Sequence, residues 1–313
     1  MSRYKRVGSM LLAMLGVATL GAAGMTAPAT ATADVTSSAN AVDSTSSTTA
    51  PIIFVHGFDV VGTAGNDCRA SFGEMESKLR SWGWTGPMYT VKFYKGDVNC
   101  QASIDHHNSH SGHYASGHSD GSHTQSTDIR HLAYHLAWFI NAHFPNRQVK
   151  LVGHSMGGLI IRYMIRKVQV DDLEFPHNMY IGDVVTFGTP HAGTNWAYGC
   201  NYKQCQQMRP GSAFEDYLKT YASNPNANGG TDWTTLGSYD DGVVSEWSSV
   251  GMSAEHEAWY LGSMNIGHSD YMHRTSTTSS ADVHRKTSSG WSNWYNAPHP
   301  VHWAWRALQR SDY

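Results

Sequence analysis

The stretch that most limits what this chain can become is VKLVGHSMGGL, residues 149–159. QVKLV (148–152) reads as a buried strand and MGGLIIRYMIRKV (156–168) as a helix. Between them Gly153, Gly157 and Gly158 crowd Ser155, although glycine weakens strands and helices alike. A sharp strand-to-helix turn accounts for all three. Such a turn holds its serine in strained dihedrals, collides with side chains two residues to either side, and brings helix and sheet close together. Gly153 and Gly157 remove those side chains, and Gly158 lets the helix pack near the sheet. Ser155 Oγ is then lifted over a helix N-terminus, where developing negative charge is favoured. Ser155 is therefore the predicted nucleophile.

The segments around it repeat one alternation. PIIFVHGF (51–58) is short and almost wholly apolar, as a strand buried on both faces must be. FGEMESKLRSW (72–82) carries one apolar helical face, and MYTVKFY (88–94) reads as a strand. TDIRHLAYHLAWFINAHF (127–144) is an amphipathic helix, with Thr127 as its predicted cap and Asp128 in its first turn. YIGDVVTF (180–187) and EAWYLGS (257–263) read as further strands. Alternating strands and helices predict an α/β fold with a mainly parallel central sheet flanked by helices. TSTTSSADVHRKTSSG (275–290) reads as a Ser/Thr-rich connector to a Trp-rich C-terminal piece.

The first 33 residues read as an export signal rather than as fold. Arg3, Lys5 and Arg6 precede an apolar run, Met10 to Ala23, and Ala31-Thr32-Ala33 offers a cleavage pattern. The run is shorter than the roughly 20 residues that a membrane-spanning helix needs. Residues 34–50 are rich in Ser, Thr and Ala and read as a disordered leader, which leaves 51–313 as one catalytic domain. The expected location is extracellular. Three of the 22 basic residues lie in the signal, so 19 remain against 25 acids, a net charge of −6 with His neutral. That balance argues against nucleic acid or polybasic membrane docking. Export favours disulfides for Cys68, Cys100, Cys200 and Cys205. Of the three possible pairings the local one, Cys68–Cys100 with Cys200–Cys205, is preferred. A bridge closing the longer loop contributes about 3–4 kcal/mol in the chain-entropy description.

A serine nucleophile needs oxyanion donors, a base and an acid. The predicted donors are the N–H groups of Met156, next to the serine, and of Phe58, after the strand that ends in His56-Gly57. In chain order Ser…Asp/Glu…His, SYDDGVV (238–244) supplies the acid. Asp241 is preferred over its neighbour Asp240, because Gly242 directly after it lets the chain turn away without crowding the imidazole. NIGHSDY (265–271) supplies the base, His268. His256 precedes the last strand, and His299 and His302 come too late in the chain.

PIIFVHGF, LVGHSMGGL, VVTFGTPHAGT (184–194), CQQMRPGSAF (205–214), SYDDGVV and NIGHSDY together resemble a secreted bacterial lipase of the α/β-hydrolase superfamily, over about Pro51 to Met272. The resemblance implies hydrolysis of acyl glycerides or related lipid esters. It puts the nucleophile on Ser155, the acid on Asp241, the base on His268 and the donors on Phe58 and Met156. Short-chain carboxylesterase, polyester depolymerase and acyltransferase remain alternatives on the same machinery. A non-catalytic binding protein is the alternative from another class. No cofactor is required and no obligate protein partner is inferred, while transient contact with a lipid interface is expected. Some related lipases hold calcium two residues after the histidine, where Asp270 stands, so a structural calcium is considered. Six histidines at 106, 107, 110, 113, 118 and 123 invite a metal reading, but a polar surface loop is preferred there. Residues 196–222, aromatic and clipped by Cys200–Cys205, are predicted to border the acyl pocket.

Overall fold

The computed structural model describes residues 48–59, 65–104, 123–220 and 224–309. The expected signal, most of the leader (34–47) and most of the His-rich segment (105–122) lie outside those residues. Buried apolar runs form strands, and helices with one apolar face cover them. In chain order these are β1 (Ile52–Val55), α1 (Cys68–Ser81), β2 (Met88–Lys92), β3 (Ala102–Ser103), α2 (Ile129–His143), β4 (Gln148–His154), α3 (Met156–Gln169) and β5 (Tyr180–Phe187). They continue with α4 (Lys203–Met208), α5 (Ala213–Thr220), β6 (Asp232–Ser238), α6 (Glu246–Ser249), β7 (His256–Tyr260), β8 (Ala281–Thr287), β9 (Gly290–Ala297) and α7 (Pro300–Ala307).

The strands make one sheet in the order β3-β2-β1-β4-β5-β6-β7-β8-β9. β3 through β7 run parallel, and β8 and β9 add antiparallel to the edge. This is the predicted α/β class, a mainly parallel sheet flanked by helices. One face packs against α2 and α3, through residues such as Leu132, Leu136, Ile160 and Met164. The other packs against α1 and α7, through Phe72, Met75, Val301 and Trp303. The strand order reverses beside β1, and open α/β sheets place ligands at the carboxyl ends of strands near such a reversal. Among the described residues no helix is long and apolar enough to cross a membrane.

Four local expectations need correction. Helix α1 starts at Cys68, because Asp67 Oδ1 accepts the Ala70 N–H at 3.0 Å and caps it there. Asp128, not Thr127, caps α2, accepting from Arg130 N, while Thr127 Oγ1 accepts the Thr124 N–H at 3.0 Å. The end of the leader is fixed rather than loose. Thr48 O accepts the N–H groups of Thr85 and Gly86, and Trp84 Nε1 donates to the buried Ala50 carbonyl. The Ser/Thr-rich connector (275–290) holds strand β8 and the turn into β9, so it is half of a hairpin. Its Thr and Val residues suit a half-buried strand, and Trp291 packs on Trp259 with ring centroids 4.4 Å apart.

The cysteines pair as Cys68–Cys100 and Cys200–Cys205. The first ties the start of α1 to the β3 edge, and the second closes the turn into α4.

Candidate active site

Ser155 sits between β4 and α3 with φ 53° and ψ −129°. A positive φ costs a non-glycine residue about 1–3 kcal/mol and persists only where its surroundings enforce it. The glycines show how this is done. A Cβ on Gly157 would lie 2.1 Å from the Val55 carbonyl oxygen, and one on Gly153 2.7 Å from the backbone of Gly158. Gly158 itself clears Thr189, 2.1 Å from such a Cβ, so it serves the loop after β5 rather than the sheet.

The carboxyl ends of β4, β6 and β7 bring three predicted residues together. His268 Nε2 lies 3.0 Å from Ser155 Oγ. His268 Nδ1 lies 2.8 and 3.0 Å from the two carboxylate oxygens of Asp241. Asp240 points its carboxylate elsewhere, and its N–H donates to Ser238 Oγ. The reason given for preferring Asp241 does not hold, because a Cβ on Gly242 would meet open space. What orients Asp241 is the turn that follows. Its Oδ1 accepts the N–H groups of Val243 and Val244, both at 2.9 Å. Burial alone would raise its pKa, but the hydrogen bond and charge of His268, with those two N–H groups, hold it below the ordinary carboxylate range. Asp241 is thus an anion beside the imidazole at neutral pH. His256 begins β7, away from the strand end that carries His268.

Three further residues steady this arrangement, and the sequence reading passed over them. His154 Nε2 lies 2.7 Å from the His268 carbonyl oxygen. Burial, reinforced by the charge of His268, pushes the His154 pKa down to about 3. A neutral ring facing a carbonyl must carry its proton on Nε2, so His154 donates and holds the His268 backbone. Tyr271 OH donates to Asp241 Oδ2 at 3.0 Å, and burial followed by the Asp241 charge keeps that phenol protonated. The third is Asp97, below the loop that carries Gly57 and Phe58. Its carboxylate accepts N–H groups from Asn66, Phe93 and Tyr94 and meets His56 Nε2 at 2.9 Å. Burial works against that charge, but His56 and these donors outweigh it and lower the Asp97 pKa. His56 also stacks on Phe93, ring centroids 3.9 Å apart.

This buttress sets where Gly57 and Phe58 lie. A Cβ on Gly57 would come 2.7 Å from Ser155 Cβ, so only glycine lets the loop approach the serine. Met156, the other predicted donor, is the first residue of α3, where an N–H has no intrahelical acceptor. Replacing Asp97 by Ala strands a buried histidine and three N–H groups. The expected loss is about 3–5 kcal/mol, read as a lower urea midpoint with an unchanged slope.

A cavity of about 430 Å³ opens over the serine. Phe58, Pro190, Trp196, Met208, Val244 and Met272 give it apolar walls, and Ser155 and His268 lie in its lining. Trp196 and Met208 come from 196–222 and line this cavity, and Phe58 meets Trp196 edge to face at 5.8 Å. Asp270, considered for calcium, accepts the Gly267 N–H at 2.9 Å and so closes the turn that carries His268.

Residues 97–223 match the protein family described as "Putative serine esterase (DUF676)". That range includes the Ser155 turn but neither Asp241 nor His268. No curated protein sequence matches the chain. Among solved structures, phospholipase PlaB from Legionella pneumophila superimposes with a TM-score of 0.45 at 14% identity, over 64% of this chain and 45% of that one. The mature lipase BlEst2 from Bacillus licheniformis gives 0.42 at 17% identity, over 64% and 79%. The lin2722 gene product from Listeria innocua gives 0.45 at 15% identity, over 72% and 88%. The chain spans less than half the length of the phospholipase. Likeness of this degree carries neither substrate nor mechanism across.

Proposed function

We propose that this protein is a secreted serine ester hydrolase that cleaves acyl glycerides or related lipid esters through an acyl-enzyme. One observation carries the reading: Ser155 Oγ, His268 and Asp241 form a continuous hydrogen-bonded chain at the floor of an apolar cavity. Ser155 Oγ attacks the ester carbonyl while His268 Nε2 takes its proton. The carbonyl electron pair moves onto oxygen, which the N–H groups of Phe58 and Met156 stabilise. As the tetrahedral intermediate collapses, His268 returns the proton to the departing alcohol, leaving acyl-Ser155. His268 then takes a proton from water, whose oxygen attacks the acyl carbon. Ser155 leaves with that proton and the fatty acid is released. Asp241 holds the imidazole in the correct tautomer and stabilises the imidazolium, without itself being protonated.

The apolar walls favour an acyl chain over a charged or strongly polar acid, and the two disulfides suit an extracellular enzyme. An ester series from acetyl to long-chain acyl, with emulsified triglyceride, tests the substrate class. Rising kcat/KM with chain length supports a lipase. Activity confined to acetyl and propionyl esters replaces it with a short-chain esterase. Replacing Trp196 by Ala removes one wall of the cavity. It is expected to lower kcat/KM about tenfold on a long-chain ester, the equivalent of one or two methylenes of burial. The acetyl ester should change less than threefold. An equal loss on both would place Trp196 outside acyl recognition.

A further inference from the structure

The hydrolase site leaves unused a cluster of three histidines beneath the loop before α2. His131 and His135 stand four apart on α2 and so share one helical face. His123 comes from the preceding loop. All three are almost wholly buried, at 0%, 4% and 1% exposure for His123, His131 and His135. Their Nε2 atoms converge. His131 Nε2 lies 3.1 Å from His123 Nε2 and 3.0 Å from His135 Nε2. The His131 ring stands nearly perpendicular to both others, at 81° and 88°.

Hydrogen bonding among the rings explains this poorly. A neutral imidazole nitrogen carries either one proton or one in-plane lone pair. His131 Nε2 would have to serve two other ring nitrogens at once with that single resource. A shared cation removes the conflict, because all three lone pairs can then point inward. The spacing also fits. Metal–nitrogen bonds of 2.0–2.1 Å in a tetrahedron put neighbouring nitrogens about 3.3 Å apart, close to the 3.0 and 3.1 Å found. Among the described residues this is the one group of three or more His, Cys, Asp or Glu side chains whose donor atoms lie close enough to share an ion.

We infer that His123, His131 and His135 form a zinc site through their Nε2 atoms, with water or another donor in the fourth position. Imidazole also binds copper and nickel, but those ions prefer square or octahedral surroundings. The site is a brace rather than a second catalytic centre. It fastens His123 to α2, and His123 is already tied to Tyr94–Lys95 by the Lys95 N–H on its carbonyl. The next residues reach the hydrolase site. Gln204 of α4 donates to the carbonyls of Thr124 and Gln125, and Gln125 Nε2 donates to Asp59, the neighbour of Phe58. Zinc would thus lock together α2, the Cys200–Cys205 turn and the oxyanion loop.

The test uses the full chain without an affinity tag, stripped with dipicolinate and titrated with zinc. One tightly held zinc per chain and a rise in Tm of several degrees are expected. Replacing His106, His107, His110, His113 and His118 together by Ser should leave that zinc in place. The double variant His131→Ala/His135→Ala should lose it, with folding checked by circular dichroism. Cobalt loaded into wild type should show the intense visible bands of a tetrahedral site, a readout that depends on no variant. Absence of tight zinc in wild type would overturn the proposal. So would tight zinc that survives the double variant or disappears with the five serines, or cobalt bands of an octahedral ion.

Discussion

Ser155→Ala is expected to lower kcat on a soluble ester by about 10⁶, the loss seen when the nucleophile of a serine hydrolase triad is removed. Its fold should persist. Alanine keeps the Cβ that already tolerates φ 53° at this turn, and only the 3.0 Å contact with His268 disappears. The residual rate should stay above that of free solution, because the oxyanion donors still act on the bound ester. His268→Ala should fall to the same level and should not add to the serine change, since the two operate as one unit. Measured kcat for both single variants and the double variant checks this. Additive losses would mean that the pair does not work together.

The second large effect separates two adjacent aspartates. Asp241→Asn keeps a side chain that can hold the His268 ring, but an amide favours the wrong tautomer and cannot stabilise the imidazolium. The expected loss in kcat is about 10⁴. Asp240→Asn should stay within threefold of wild type, because its carboxylate is not among the groups that meet the imidazole. Circular dichroism on both guards against misfolding. If Asp240→Asn were the inactive one, the acid would have been assigned one residue off along the end of β6.

Much of this was legible in the residues, for physical reasons that also explain the misses. The Ser155 turn needs glycine at fixed offsets, so its sequence and its geometry are nearly the same statement. The strands of the parallel sheet are buried on both faces and read as continuous apolar runs. The hairpin β8–β9 was hidden because it lies at an edge, half exposed, where Ser and Thr are as suitable as Val. The start of α1 was hidden for a different reason. Its first turn carries one buried apolar residue, Cys68, and depends on Asp67 for its cap. Gly242 after Asp241 suggests relief of crowding, but a Cβ there would meet open space. The two N–H groups of Val243 and Val244 orient Asp241, and they depend on the path of the turn.

The supporting residues were harder to see. Asp97 acts on His56 from 41 positions away, and only the folded sheet brings them together. His154 occupies the variable position of G-x-S-x-G, where no rule demands histidine. The histidines of the inferred zinc site show the same limit. His131 and His135 have a readable four-residue spacing, but the crowded His-rich segment before them draws attention away. Burial is what distinguishes His123 as a member of the cluster, and burial is a property of the fold.

In the proposed mechanism Ser155 is the group that becomes acylated. A phosphonate ester probe reacts with an activated serine and stays attached, and peptide mass spectrometry locates the adduct. One adduct per chain, on Ser155, with loss of activity in proportion to labelling, is the predicted result. Stoichiometric inactivation with the adduct on any other residue, or an enzyme that hydrolyses esters while Ser155 stays unlabelled, would contradict it.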